Sequence, residues 1–125
     1  MERDLQLRIL AGVLLIISAF THTLQVFVYG GVWHNIGAAL YGAMYLFLGI
    51  GLIRYLDKKG LVLLSIILPF IGEIGGIIRF FFLHTETANL FIILHVLIDM
   101  VVVPTCILIF RSMRTSISVS QTTVM

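Results

Sequence analysis

The chain has 125 residues, of which 60% are hydrophobic and only 11% are charged, and its formal net charge is +2. About a quarter of the residues of an ordinary soluble domain are charged, so this chain has too few charges to cover a soluble surface. Composition therefore excludes a soluble globular enzyme, a disordered chain and a nucleic-acid-binding module. The single cysteine, Cys106, excludes an internal disulfide framework and a cysteine-based zinc site. What remains is an integral membrane protein whose first partner is the lipid bilayer.

Four mostly apolar stretches are long enough to cross a bilayer, which takes about 20 residues of helix. They are predicted at about 7–29, 35–55, 61–83 and 89–110, separated by glycine pairs or polar and charged turns. Their continuous apolar character excludes the alternating pattern of β-barrel strands. The sequence thus predicts an all-α, integral membrane four-helix bundle as a single domain over 1–111. The Ser- and Thr-rich segment 112–125 is expected to be a flexible cytoplasmic tail.

Lysine and arginine are distributed unequally between the two ends of this predicted bundle. Arg79 alone lies toward the side that holds the connection between the first two spans. All the others lie toward the side of the termini, namely Arg3, Arg8, Arg54, Lys58, Lys59, Arg111 and Arg114. Because cytoplasmic segments carry the excess of positive charge, both termini are predicted to be cytoplasmic. A prokaryotic plasma membrane is the simplest location for such a chain.

Ionisable side chains inside a span are costly in hydrocarbon, so each one raises a functional hypothesis. Glu73 and Asp99 fall near the middle of the third and fourth spans. His22 and His95 lie at one shared depth, farther from the termini, and Arg79 lies nearer the surface on that side. Residues four apart share a helix face, as His95 and Asp99 do. We expect these side chains to converge in the bundle interior.

Small residues mark where the predicted helices approach each other closely. Gly42 lies in the second span, and Gly72 and Gly76 in the third have the spacing of a GxxxG motif. Such residues let helix backbones meet in lipid. They are interpreted as packing positions within the bundle, with a homodimer interface as the alternative.

The intramembrane cluster of His22, Glu73, His95 and Asp99 is predicted to bind a proton or a metal cation. A carboxyl group at membrane depth can load and release a proton, and neighbouring imidazoles can relay it. The leading function is therefore small-solute or ion transport. Its pathway would run through Glu73, Asp99, His22, His95 and Arg79.

Other functions use the same residues. Imidazoles at one depth on two helices, His22 and His95, are typical of a b-type haem site, in which Arg79 would pair with a propionate. The donor set His22, His95, Asp99 and Glu73 suits a divalent metal, so a haem- or metal-dependent redox or hydrolytic membrane enzyme is one alternative. The other alternative is an accessory subunit of a larger membrane complex, in which the charges only satisfy each other: Arg79 with Glu73 or Asp99, and His22 with Asp99. No nucleotide-binding loop, Ser-His-Asp order or CxxC pair supports a particular enzyme.

Overall fold

The computed structural model describes residues 2–83 and 90–123, with side chains over 2–82 and 90–115. This part of the chain forms α1 (Glu2–Tyr29), α2 (Trp33–Arg54), α3 (Lys59–Ile78) and α4 (Leu90–Thr123). A π-helical turn over Arg79–Leu83 continues α3. All four helices are long and apolar enough to cross a membrane. The predicted all-α architecture of four helices is thereby confirmed.

The helix bounds differ from the predicted spans mainly at the chain ends. α1 already begins at Glu2, and α4 continues well beyond residue 110 to Thr123. The helix therefore includes most of the segment that was expected to form a flexible tail. The predicted start of the fourth span, at residue 89, lies outside the described residues.

The turn between α1 and α2 is fixed by one glycine and one asparagine. Gly30 has a φ of 89°, a left-handed conformation that favours glycine because it has no Cβ. The side-chain amide of Asn35 donates a hydrogen bond of 2.7 Å to the Gly30 carbonyl. Asn35 is therefore held at the start of α2 with its amide oxygen available to other groups.

The four helices run alternately up and down and form two closely packed pairs. α1 packs along α2, α3 packs along α4, and the pairs meet mainly where α1 touches α4. α2 and α3 share far fewer contacts than the other neighbours do. We call the end with the chain termini the terminal end and the opposite end the α1–α2 end. The weakly packed side between α2 and α3 is where the bundle has room for a cavity.

Glycines allow the paired helices to approach at backbone distance. A Cβ atom on Gly49 would lie 2.7 Å from the Gly12 carbonyl oxygen, and one on Gly42 would lie 2.7 Å from His22 Cβ. Between α3 and α4, a Cβ on Gly76 would lie 2.9 Å from a methyl group of Val96. Real Cβ atoms need more space than this, so larger residues would push the helices apart.

The apolar core fills the half of the bundle nearer the terminal end. It consists of Ala11, Leu15, Leu48, Leu52, Val62, Val102, Cys106 and Ile109, each at most 2% exposed. Large apolar side chains also cover the outside, such as Phe27 at 80% exposure and Phe82 at 76%. An apolar exterior of this kind suits a lipid environment. The buried polar side chains are concentrated in the other half of the bundle.

Candidate functional site

A cavity of about 370 Å³ lies between α2 and α3 in the half nearer the α1–α2 end. Its walls are mainly small and apolar, with Gly37 and Ala38 on α2 and Ile71 and Gly75 on α3. Its polar lining consists of His22, His34, Tyr41, Arg79, His95 and Asp99. Ligand sites generally combine apolar walls with a few polar groups, and this cavity has that composition.

Asp99 and Tyr45 form the deepest polar pair at the cavity. The Tyr45 hydroxyl donates a hydrogen bond of 2.9 Å to Asp99 Oδ2. Gly72 makes room for this pair, because a Cβ there would lie 2.6 Å from the Tyr45 oxygen. Asp99 is only 2% exposed, and its other oxygen, Oδ1, has no hydrogen-bond partner in the described structure.

The two histidines contact each other one level above this pair. The rings of His22 and His95 stack with their centroids 3.6 Å apart, and His22 also meets the Tyr45 ring edge-on. The Thr21 hydroxyl lies 2.7 Å from His95 Nε2 and 3.0 Å from the Ser18 carbonyl oxygen. Nδ1 of His22 is buried without a partner among the described residues.

Arg79 occupies the level nearest the α1–α2 end and is held by two neutral amides. Its guanidinium donates to Asn35 Oδ1. The side-chain amide of Gln25 lies 2.8 and 2.9 Å from the two terminal nitrogens of Arg79 and 2.7 Å from Asn35 Oδ1. Gln25 and Asn35 are almost completely buried. Arg79 thus contacts neither Glu73 nor Asp99, and the sole ion pair in the described residues joins Asp57 and Lys58 at the surface.

The structure brings four of the five predicted pathway residues to one cavity. His22, His95, Asp99 and Arg79 all line it. Glu73 does not line the cavity; it is half-buried on α3, and no hydrogen bond or ion pair joins it to another described side chain. It follows Gly72 directly, and a helix turns by about 100° per residue, so only Gly72 faces Asp99.

Two contacts at the site are not evident from the sequence. Asn35 has no ionisable group and lies at the start of a span, where polar residues are ordinary. Tyr45 shares a helix face with Tyr41, which is a sign of packing and not of a bond to Asp99. The one available signal for Asn35 is its position shortly after the glycine pair that ends α1.

The arrangement does not fit a haem or a metal ion. A haem between His22 and His95 would need the macrocycle between the two rings, but these rings stack in direct contact. For a metal, no three side chains of His, Cys, Asp or Glu converge anywhere in the described residues. Glu73, the fourth expected ligand, does not line the shared cavity.

Comparison with protein-family models, with curated proteins and with solved structures finds no match to this chain.

The Tyr45–Asp99 bond provides a test of the deepest polar pair. Tyr45→Phe leaves a second Asp99 oxygen without a partner, and we expect a loss of about 0.6–1.7 kcal/mol in unfolding free energy. Unfolding of the purified protein in mixed detergent micelles measures this change. Tyr29→Phe, at the partly exposed end of α1, is the matched control and should have no effect. A double change of Tyr45→Phe and Asp99→Val should cost less than the sum of the single changes, because both polar partners are then removed. Additive losses would show that the bond is absent.

Proposed function

We propose that this protein is a small membrane transporter that binds a solute in the cavity between α2 and α3 and couples its movement to a proton. One observation carries the proposal. Three buried polar atoms, Asp99 Oδ1, His22 Nδ1 and Arg79 Nε, have no hydrogen-bond partner among the described residues and belong to residues that line this cavity. Unsatisfied polar atoms are expensive inside a bilayer, so keeping them beside a cavity favours a role in binding.

Each polar level of the cavity has a role in this proposal. Asp99 is the carboxyl group that takes up and releases the proton, and Tyr45 positions it by its hydrogen bond. His22 and His95 lie between Asp99 and the α1–α2 end, where they relay the proton. Arg79 is the charged group that meets the solute near the outer opening. Glu73 is outside the cavity and has at most a supporting electrostatic role.

The packing supports an exchange between two states of the bundle. The residues that line the cavity lie in the half of the bundle nearer the α1–α2 end, and the apolar core fills the half nearer the terminal end. Backbone contacts between Gly12 and Gly49 join α1 to α2. By contrast, α2 and α3 have few contacts, among them a hydrogen bond from the Tyr41 hydroxyl to the Leu68 carbonyl. Transport would therefore move the α3–α4 pair against the α1–α2 pair.

We also propose that α3 contacts a second copy of the chain or another subunit of a larger membrane complex. In its most apolar window 17% of the residues are buried, compared with 33% in α2 and 44% in α4. Lipid or a further helix would cover this surface. The exposed surface of α3 favours a homodimer or an accessory role. A haem- or metal-dependent enzyme is not favoured, because the geometry of the donor side chains does not fit it.

The proposed orientation places both termini in the cytoplasm of a prokaryotic plasma membrane, because the terminal end carries the excess of Lys and Arg. Cysteine labelling tests it. Gly31→Cys should react with a membrane-impermeant reagent in intact cells, and Lys58→Cys should react only after permeabilisation. The native Cys106 is fully buried and serves as the unreactive background. The reverse labelling pattern would overturn the orientation.

The transport proposal predicts different effects for the two intramembrane carboxylates. Three labelled probes of one shape but different charge serve as solutes: cyclohexanecarboxylate, cyclohexanecarboxamide and cyclohexylmethylamine. Proteoliposomes under a pH gradient should take up at least one of them faster than empty liposomes do. Asp99→Asn should abolish this protein-dependent uptake, and Glu73→Gln should keep most of it because Glu73 does not line the cavity. Helical content and elution from a sizing column verify that each variant is folded. Equal uptake by liposomes with and without the protein would contradict the proposal.

A further inference from the structure

We propose that the solute is an organic anion with a compact apolar body, that Arg79 binds its anionic group, and that its binding is coupled to protonation of Asp99. This inference rests on the proposed function, because it names the class of solute for the same cavity. Two features of the cavity carry it: a cation, Arg79, that has no ion-pair partner among the described residues, and the carboxyl group of Asp99 at its deep end.

Arg79 has the surroundings of an anion-binding group. Its partners, Asn35 and Gln25, are neutral amides that fix the direction of the guanidinium without neutralising it. Its Nε atom is buried without a hydrogen-bond partner, and no ion pair joins it to a described acidic residue. A charge that is removed from water is costly until it is paired, so an anion that enters the cavity supplies the missing partner. The guanidinium plane also suits the two oxygens of a carboxylate.

The walls of the cavity select the rest of the solute. Ala38, Ile71, Ile78 and Ile92 give it an apolar lining, and Trp33 lines it from the start of α2. A volume of about 370 Å³ is much larger than a bare carboxylate or halide needs. A small inorganic anion would leave this apolar space unfilled. An anion with a compact hydrocarbon or aromatic body fills the space and keeps its charge at Arg79.

Charge balance couples the solute to the proton. Gly72 lies beside Asp99, and Arg79 follows Gly72 by seven residues of helix. The charges of Arg79 and Asp99 are therefore roughly 10 Å apart. With Asp99 ionised the two charges cancel, and an anion adds one unbalanced negative charge. A proton on Asp99 removes this excess, which strengthens anion binding about tenfold at such a separation. By linkage, the anion favours the proton to the same extent.

Other titratable groups near Asp99 or in the cavity also enter this balance. From α1, α2, α3 and α4 they are His22, His34, Tyr41, Tyr45, Glu73 and His95. Tyrosine and neutral histidine add no net charge. Glu73 does not line the cavity, and its negative charge acts in the same direction as that of Asp99. The carboxyl group of Asp99 is thus the group in the cavity whose proton compensates the charge of the anion.

Binding to the full-length protein in detergent tests the inference, with Trp33, the single tryptophan of the chain, as the fluorescent reporter at the cavity. The probes are cyclohexanecarboxylate, its neutral carboxamide and cyclohexylmethylamine. Above about pH 6 the carboxylate probe is ionised, so changes in its binding report on the protein. We expect it to bind about tenfold more tightly than the carboxamide near pH 6, and about tenfold more weakly at a pH high enough to ionise Asp99.

Three variants separate charge from structure. Arg79→Gln should weaken carboxylate binding about tenfold, and Arg79→Lys should restore most of it because the charge returns. Asp99→Asn should bind the carboxylate tightly at every pH. Arg111→Gln makes the same change as Arg79→Gln at an exposed site near the terminal end and should bind like the wild type.

Three results would overturn the inference: no carboxylate binding, a preference for the carboxamide or the amine, or a pH dependence that survives in Asp99→Asn. In that case, protein-dependent uptake of the carboxamide or the amine would show that the transport proposal holds although the inference of an anionic solute is wrong. Absence of uptake for all three probes would instead remove the transport proposal.

Discussion

Backbone contact at glycine positions holds the helices together and also places the polar side chains of the site. Gly42 lies against the Cβ atom of His22, so the contact between α1 and α2 sets the position of that imidazole. Gly72 leaves the space in which Tyr45 bonds to Asp99. Gly42 joins α1 with α2, whereas α2 meets α3 in far fewer places, one of them Tyr45 beside Gly72. The cavity is a direct consequence of this unequal packing.

The cavity separates its charges along the bundle. The Arg79 guanidinium lies near the α1–α2 end among neutral amides, Asp99 lies deepest, and two stacked histidines lie between them. The apolar core seals the opposite side. A site with these features favours a solute that brings its own charge, and it favours proton uptake as the means of balancing that charge. Metal or haem chemistry would need donors arranged differently from those found here.

The sequence predicts the helices well because span length and continuous apolar character depend on few variables. Depth along each span also predicts that His22, His95 and Asp99 lie near one another. Depth does not determine rotation about the helix axis, and for this reason Glu73 was expected in the cluster although its neighbour Gly72 faces Asp99. The partners of Arg79 were not predictable either. Two neutral amides leave no charge pattern, and the sequence pointed instead to Glu73 or Asp99 as its partner.

The existence of the cavity between α2 and α3 is the claim on which the account depends, and thiol accessibility tests it most directly. Ala38 lines the cavity, whereas Ala11 is fully buried in the core. The rate at which a small methanethiosulfonate reagent modifies Ala38→Cys should greatly exceed the rate for Ala11→Cys, with the buried Cys106 as background. Equal, slow modification of both positions would mean that α2 and α3 are closed against each other, and it would contradict the account.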